Sequence, residues 1–423
     1  MTLTLFSLFA LLMLLRVPIF VCLALATIVV LWQQGFVMYM IPQRMFAALD
    51  ITTLMAIPGF VFAGVIMARG GIARHLVDAL RTWVGHTSGG LAVVTILACM
   101  VFAAISGSSP ATAAAIGSIM IPGMVRAGYS KTYAMGLVAA SGTLGILIPP
   151  SIPLIVYGTV AEESIGKLFM AGVLPGLFMG AVLVASAIMV AKLRGYGREP
   201  KADWATRWRA LGKAMPGLLL PVLILGSIYK GIATPTEASV VAAAYALLVS
   251  RFVYRELNGK VFRAIVQETV TTSAMIFFII ASAMLFALYL TNNQVPQAVA
   301  EWITQSVTNK WVFLIATNLL FFILGTFLEA VSIILITLPI FLPIIKQMGI
   351  DVIHFAIIMT VNMELAMITP PVGLNLFVVS GIAKEKLGAV VRGVAPFIVL
   401  MILVLAVIVV WPDLSLWLTK SVK

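Results

Sequence analysis

The sequence predicts an all-α membrane protein built as two inverted-topology repeats, each with a re-entrant helical hairpin and a helix broken at a Pro-Pro pair. Of its 423 residues 62% are hydrophobic and only 10% charged, where a soluble domain carries about 25% charged residues. Several apolar runs reach the ~20 residues that a bilayer core demands. Two long apolar stretches, SGTLGILIPPSIPLIVYG at 141–158 and LAMITPPVGLNLFVVSG at 365–381, are interrupted by Pro149-Pro150 and Pro370-Pro371. A proline inside a helix removes a backbone donor and clashes with the preceding turn. In lipid the freed carbonyls are tolerated only where protein or a water-filled cavity satisfies them. Matched interruptions in two halves point to a binding site near the membrane midplane.

The charge distribution supports the membrane assignment. The net charge is +12, but the basic residues cluster at the ends of apolar runs, which is orientation signal and contact with the lipid bilayer. No nucleic-acid partner is expected. Cys22 and Cys99 lie in apolar segments without pairing or metal-site spacing. The N-terminus lacks the charged start and cleavage site of a removable signal and reads as a retained membrane segment. No polar stretch is long enough to fold as a separate domain.

In chain order, 2–15 and 17–32 are two short spans split by Arg16 and Pro18, and 36–49 is an interfacial helix. A span follows at 51–67. The segment 69–84 carries Arg74, His75, Asp78 and Arg81 on one face, so it lies in the interface plane. The run 89–124 holds ISGSSPATAAAIGS at its centre, 105–118, where lipid-facing leucines would otherwise stand. Small residues also build helix–helix interfaces, but Ser-Gly-Ser-Ser-Pro is a helix stop. A re-entrant hairpin over 89–125 is therefore expected, followed by a broken helix over 131–160 and a span at 165–191. Seven basic residues against Glu199 and Asp203 in 192–213 mark the cytoplasmic side.

Counting outward from that marker, 216–230 leads out to a turn, TPTEA, and 239–250 returns to a basic loop with Arg251, Arg255, Lys260 and Arg263. A span at 269–290, an interfacial piece at 294–309, a second hairpin over 311–346 centred on LGTFLEAVS, a broken helix over 350–382 and a final span at 394–411 complete the second half. The expected division is a first repeat at 1–191, a basic linker at 192–215 and a second repeat at 216–423. The first hairpin, flanked by Arg81, Arg126 and Lys131, would enter from the cytoplasm and the second from outside, as an inverted repeat requires. That topology starts the first span outside and puts Arg16 in a cytoplasmic turn.

No GxxxxGK[ST] and no HExxH occurs, and His75, His86 and His354 are far apart. No catalytic cluster is visible, so an enzyme is not expected. Broken helices present free carbonyls to an alkali cation such as Na⁺, and Ser or Thr hydroxyls can complete its shell. Opposing half-helix N-termini favour a carboxylate. Glu329 and Glu364 fall inside apolar stretches, where a charged group is functional by default. Asn375, one turn past the second break, is a further polar candidate.

SGSSPATAAAIGSIMIPGM, GTLGILIPPSIPLIVYG, GIATPTEA, GTFLEAVSIILITLPI and ITPPVGLNLFVVSG, in this order along the whole chain, resemble the large membrane subunit of tripartite ATP-independent periplasmic (TRAP) transporters. The resemblance implies an elevator-type, binding-protein-dependent secondary importer in a bacterial or archaeal inner membrane, with Na⁺ as coupling ion and no organic cofactor. It implies two partners, a small four-helix membrane subunit and a periplasmic solute-binding protein. The solute would be an organic acid such as a C4-dicarboxylate or sialic acid. One sodium site would fall on Ser106, Ser108, Gly145, Ile148 and Pro150, and the other on Gly325, Ala366, Thr369 and Val372. Position 366 is commonly Gly in that family. A carbonyl ligand survives the change to Ala, but an unwound backbone with positive φ would not. Solute contacts are expected from Ser108, Ser109, Glu329 and Asn375. No additional four-helix segment precedes Thr2, so the small subunit is expected to be a separate chain. Two rivals remain. A membrane-embedded lipid or prenyl transferase needs clustered acids for Mg²⁺, and the acids here are scattered; a stand-alone elevator carrier or exchanger would lack the binding protein.

Overall fold

The computed structural model describes residues 2–15, 17–196, 199–306 and 309–421, and every described element is helical. Arg16 and Arg198, two of the residues used for orientation, lie outside the described residues. Helices α1 (Thr2–Leu14) and α2 (Ile19–Gln33) are separate, because Pro18, at φ −55° and ψ 139°, leaves helical geometry before α2 begins. Helix α3 (Met40–Leu49) precedes a 3-10 turn at Thr52–Met55 that runs into α4 (Ala56–Arg69). Gly71, at φ +88°, then redirects the chain into α5 (Ile72–Val84). That helix buries Ile72, Leu76 and Val77 and leaves Arg74 and Asp78 exposed.

Two half-length helices, α6 (Gly90–Ser106) and α7 (Ser109–Arg126), pack on each other as a hairpin. The first broken helix comprises α8 (Lys131–Thr143), a 3-10 turn at Leu144–Ile146 and α9 (Ile152–Ala161), and α10 (Ile165–Arg194) follows. The second half holds α11 (Trp204–Tyr229), α12 (Pro235–Leu248), α13 (Gly259–Asn292) and α14 (Val295–Ser306). A second hairpin, α15 (Lys310–Gly325) and α16 (Ala330–Gln347), leads to the broken helix α17 (Val352–Ala366) and α18 (Leu374–Ala383). The chain ends with α19 (Leu387–Val410) and the short α20 (Asp413–Leu416).

The linker expected over 192–215 is mostly helical, and only 195–203 lies outside α10 and α11. Asp203 starts α11 twelve residues before the expected Pro216 by accepting a hydrogen bond from the Thr206 amide (3.3 Å). Pro216 and Pro221 sit inside that helix. Lys260 and Arg263, expected in a loop, ride on the first turns of α13, which Asn258 caps through the Val261 amide (2.9 Å). The TPTEA turn is a capping box: Thr234 Oγ1 accepts from the Glu237 amide and the Glu237 carboxylate accepts from the Thr234 amide.

Among the described residues, α10, α11, α13, α16, α19, the run Thr52–Arg69 and the run Pro235–Val253 are long and apolar enough to cross a bilayer. Helices α9 and α18, with 10 residues each, reach ~15 Å at 1.5 Å per residue, about half a hydrocarbon core. Helix α4 packs along α12 as α2 packs along α13; α7 lies on α18 as α16 lies on α9; α8 lies on α19 as α17 lies on α10. Each of these contacts is matched by one in which the halves exchange parts. Ion pairs tie distant segments together at helix ends: Arg69–Glu268 (2.7 Å), Arg74–Glu256, Arg81–Glu199 and Lys131–Glu385 (2.8 Å).

The backbones of α8 and α19 approach closely at two glycines. A Cβ on Gly136 would overlap the Gly393 carbonyl, and one on Gly393 would overlap the Thr132 carbonyl. Small residues at such crossings let helices meet in a membrane, where van der Waals packing replaces the hydrophobic drive. Gly136→Ala is therefore expected to lower the thermal unfolding midpoint in detergent, at the ~1–3 kcal/mol cost of overpacking. Gly381→Ala, whose new methyl meets open space, should leave it unchanged or slightly raise it. Equal midpoints for Gly136→Ala and the native chain would contradict the contact.

Candidate solute and ion site

The tip of the first hairpin forms because Gly107 takes a left-handed φ of +61°, closing α6, and Pro110 stands in the first turn of α7. Across the tip, Thr112 Oγ1 donates to the Ser108 carbonyl (2.8 Å) and lies 2.9 Å from Ser106 Oγ. With its one proton committed, Thr112 accepts from Ser106. Gly145 of the first break fits against this group only because it lacks a side chain: a Cβ would stand 2.5 Å from the Ser108 carbonyl oxygen and 2.7 Å from Thr112 Oγ1. The Pro150 carbonyl reaches the same turn, 2.9 Å from where a Cβ on Gly107 would be. The Ile152 amide donates to the Gly107 carbonyl (3.3 Å). Ser106, Ser108, Gly145 and Pro150 are thus gathered. The Ile148 side chain lies on the opposite flank, 2.6 Å from where a Cβ on Gly176 of α10 would be. Ser151 bridges the break, donating to the Ile146 carbonyl and accepting from the Leu154 amide.

The second tip and break meet by the same device. The Val372 amide donates to the Thr326 carbonyl (3.1 Å), and the Asn375 amide reaches back to the Met367 carbonyl (3.1 Å). Thr369 Oγ1 donates to the Leu365 carbonyl (2.7 Å). Gly325 abuts the Ala366 methyl so closely that it has no room for a Cβ. Ala366 closes α17 with ordinary backbone, since the described non-glycine residues with positive φ are Glu162, Arg255, Gln294 and Lys384. Position 366 therefore needs no positive φ, and the left-handed backbone of this break falls on Gly373, at φ +51°. Both Pro-Pro bonds are cis. Residues 141–158 are buried throughout, whereas Pro370, Pro371, Val372 and Leu374 are exposed and Phe327 at the second tip is 55% exposed.

Between the two tips lies a cavity of about 360 Å³. Ser108, Ser109 and Pro110 line one side and Glu329 and Ala330 the other; Ile152 and Pro153 of the first break and Met367 and Leu374 of the second complete it, with Gly64 of α4 and Glu268 of α13 as the wall. Among the described residues no Lys, Arg or His lines it. Glu268 is paired with Arg69, but Glu329 Oε1 is buried without a hydrogen-bond partner. Asn375 stands behind the cavity: its amide donates to Ser109 Oγ (2.8 Å) and to the Ala139 carbonyl (3.2 Å), tying α18 to α7 and α8. Glu364 is fully buried in α17 with neither oxygen partnered, and it does not line the cavity. Thr112, Gly64 and Glu268 were not anticipated. Thr112 sits inside the quoted tip motif, six residues past Ser106. Gly64 and Glu268 belong to segments whose sequence carries no such signal.

Residues 6–414 match the family described as the tripartite ATP-independent periplasmic transporter, DctM component. The C4-dicarboxylate TRAP transporter large permease protein DctM of Pseudomonas aeruginosa is 47% identical over 382 residues, covering 89% of this chain and 90% of that one. The sialic acid TRAP transporter large permease protein SiaM of Vibrio cholerae is 37% identical over 378 residues, covering 89% and 88%. Among solved structures, the Alcanivorax borkumensis YdaH transporter shares the fold, with a TM-score of 0.65 at 14% identity over 88% of this chain and 87% of that one.

The Gly325–Ala366 contact can be tested by a double-mutant cycle. Gly325→Ala alone should lower the unfolding midpoint, at ~1–3 kcal/mol. Ala366→Gly in the same chain should recover more than half of that loss by returning the space. Strictly additive effects of the two changes would show that the residues do not touch.

Proposed function

Since the chain belongs to the DctM component family of tripartite ATP-independent periplasmic transporters, we propose that this large permease subunit imports an organic acid, coupled to Na⁺, from an extracytoplasmic binding protein and in complex with a small four-helix membrane subunit. It is a multi-pass protein of the bacterial inner membrane. The observation that carries the reading is the cavity enclosed by both hairpin tips and both breaks. Among the described residues a solute carboxylate there meets no cationic side chain. It meets the hydroxyls of Ser108 and Ser109 and the N-terminal ends of α7, α16 and α18, none of which has a side-chain cap. Glu329 Oε1, without a partner, is available to a solute hydroxyl or a cation.

Sodium would bind in the first half at Ser106, Ser108, Gly145, Ile148 and Pro150, and in the second at Gly325, Ala366, Thr369 and Val372. What supports this is the oxygen-rich turn of Ser106, the Ser108 carbonyl and Thr112, held against the glycine of the break. The exchanged contacts between halves, α4–α12 with α2–α13 and α7–α18 with α9–α16, support two inverted repeats. Both hairpins and both broken helices form the moving block, α5 and α14 its arms, and the remaining spans the scaffold. C4-dicarboxylates are the first solutes to try, on the strength of the 47% identical relative.

The test is uptake of a radiolabelled C4-dicarboxylate into liposomes holding this chain, the small subunit and the loaded binding protein. Uptake is expected only with an inward Na⁺ gradient and with both partners. Ser108→Leu should abolish it while leaving membrane insertion intact. Full uptake on a proton gradient without Na⁺ would sink the sodium assignment, and concentrative uptake by this chain alone would favour a stand-alone carrier. For topology, Lys201→Cys is the probe. In intact cells it should resist a membrane-impermeant thiol reagent, and prompt labelling would invert the arrangement.

A further inference from the structure

We propose that the seam between α5 and α11 binds an anionic phospholipid, its phosphate held by Arg207 and one acyl chain laid along the apolar groove that leads away from it. The two helices run antiparallel. Gly217 of α11 lies against Ile72 at the start of α5, and at the other end Trp83 donates its indole N–H to the Arg207 carbonyl (3.3 Å). Between these ends Leu76, Ala79, Leu80 and Trp83 face Leu211 and Leu218 across a groove of about 280 Å³. Residues 76, 80 and 83 share one face of α5, and 207, 211 and 218 share one face of α11. Arg207 therefore stands on the groove-lining face of α11, one turn before Leu211, and next to Trp83 at the end of the groove.

Arg207 is the unexplained group. It is 6% exposed, and its guanidinium carbon lies 5.9 Å from the Trp83 ring and 5.2 Å from the Trp204 ring. One terminal nitrogen donates to His86 Nδ1 at 3.5 Å, and Nε has no partner. No carboxylate among the described residues pairs with it, because Glu199 is taken by Arg81 and Asp203 by the Thr206 amide. A buried cation without a counter-ion is costly, so the site asks for an anion from outside the chain. A guanidinium matches a phosphate by its fork of donors. Exposed Arg209 and Lys213 follow Arg207 on α11, and exposed Lys192 and Arg194 end α10 shortly before it in the chain; such basic residues draw anionic headgroups to a membrane surface. Exposed Trp204 and Trp208 fit the interfacial aromatic belt. A soluble anion would satisfy the guanidinium but leave a purely apolar groove open. A phospholipid supplies both halves of the ligand.

The probe is delipidated full-length protein in detergent, titrated with phosphatidylglycerol or phosphatidylcholine carrying brominated acyl chains, read by tryptophan fluorescence quenching. Phosphatidylglycerol should quench at a half-saturating concentration at least tenfold lower than phosphatidylcholine. Arg207→Gln should erase that preference, and Arg209→Gln should keep it. Leu80→Phe, which narrows the groove without touching the guanidinium, should weaken phosphatidylglycerol about tenfold and guards against misfolding of the arginine variant. Equal quenching by the two lipids, or a preference surviving Arg207→Gln, overturns the proposal. So does competition by glycerol phosphate at concentrations equal to the lipid's, which would mean a free anion. Loss of the lipid effect on adding the small subunit would mean that protein occupies the seam, and overturns it as well.

Discussion

A helix that stops inside an apolar protein leaves amides and carbonyls with nothing to bond, and this chain stops helices there repeatedly. The structure answers by making the stops face each other. The Gly107 carbonyl at one tip takes the Ile152 amide of one break, and the Thr326 carbonyl at the other tip takes the Val372 amide of the other. Within each break a second bond spans the gap: Ser151 Oγ to the Ile146 carbonyl in the first, the Asn375 amide to the Met367 carbonyl in the second. The unwound backbone and the cavity are thus one feature. The Ile146 and Met367 carbonyls that the prolines free are bonded within each break, the amides just past the prolines bond the neighbouring tip, and what remains open between them is the space available to a solute.

The two halves solve the same contact with different side chains. Gly145 and Ala366 each stand four residues before the first proline of their pair. In the first half the break supplies the glycine, against the turn formed by Ser106, Ser108 and Thr112; in the second the tip supplies it, and Gly325 faces the Ala366 methyl. The first half therefore gains hydroxyls at the contact and the second an apolar methyl. The burial follows suit, with the first break enclosed and the second open at Pro370 to Val372. Two breaks of the same form need not carry the same chemistry.

Much of this was legible because proline and glycine act through the backbone. The Pro-Pro pairs, the Ser-Gly-Ser-Ser-Pro stop and the small residues at 325–326 announce breaks whatever surrounds them. Charge was a poorer guide to boundaries. Arg207, Arg209 and Lys213 count toward a basic segment equally well in a loop or on a helix, and they ride on α11. Asp203, three residues before Thr206, was the available capping signal, and Thr234 with Glu237 was another hidden in a stretch read as a turn. The cavity wall was not legible at all. Gly64 enters it because a Cβ there would lie 3.0 Å from Ser106 Cα, and such contacts arise only when α4 is brought against the first hairpin.

That no cationic side chain lines the cavity among the described residues has a physical logic for a carrier. In a low-dielectric interior a fixed guanidinium or ammonium would bind a carboxylate strongly, and the strength that helps loading would oppose release. Helix ends and hydroxyls bind it more weakly. Glu329, itself unpartnered at Oε1, makes the region less hospitable still to an anion that arrives alone. A small cation that enters with the solute and leaves with it removes the difficulty on both sides. It offsets the negative charge while the solute is held and withdraws that help where the cation is scarce. In the ion-coupled reading proposed above, the cation would do the work that a lysine or arginine of the lining would otherwise do, and the affinity for the solute would follow the ion concentration on whichever side the cavity faces.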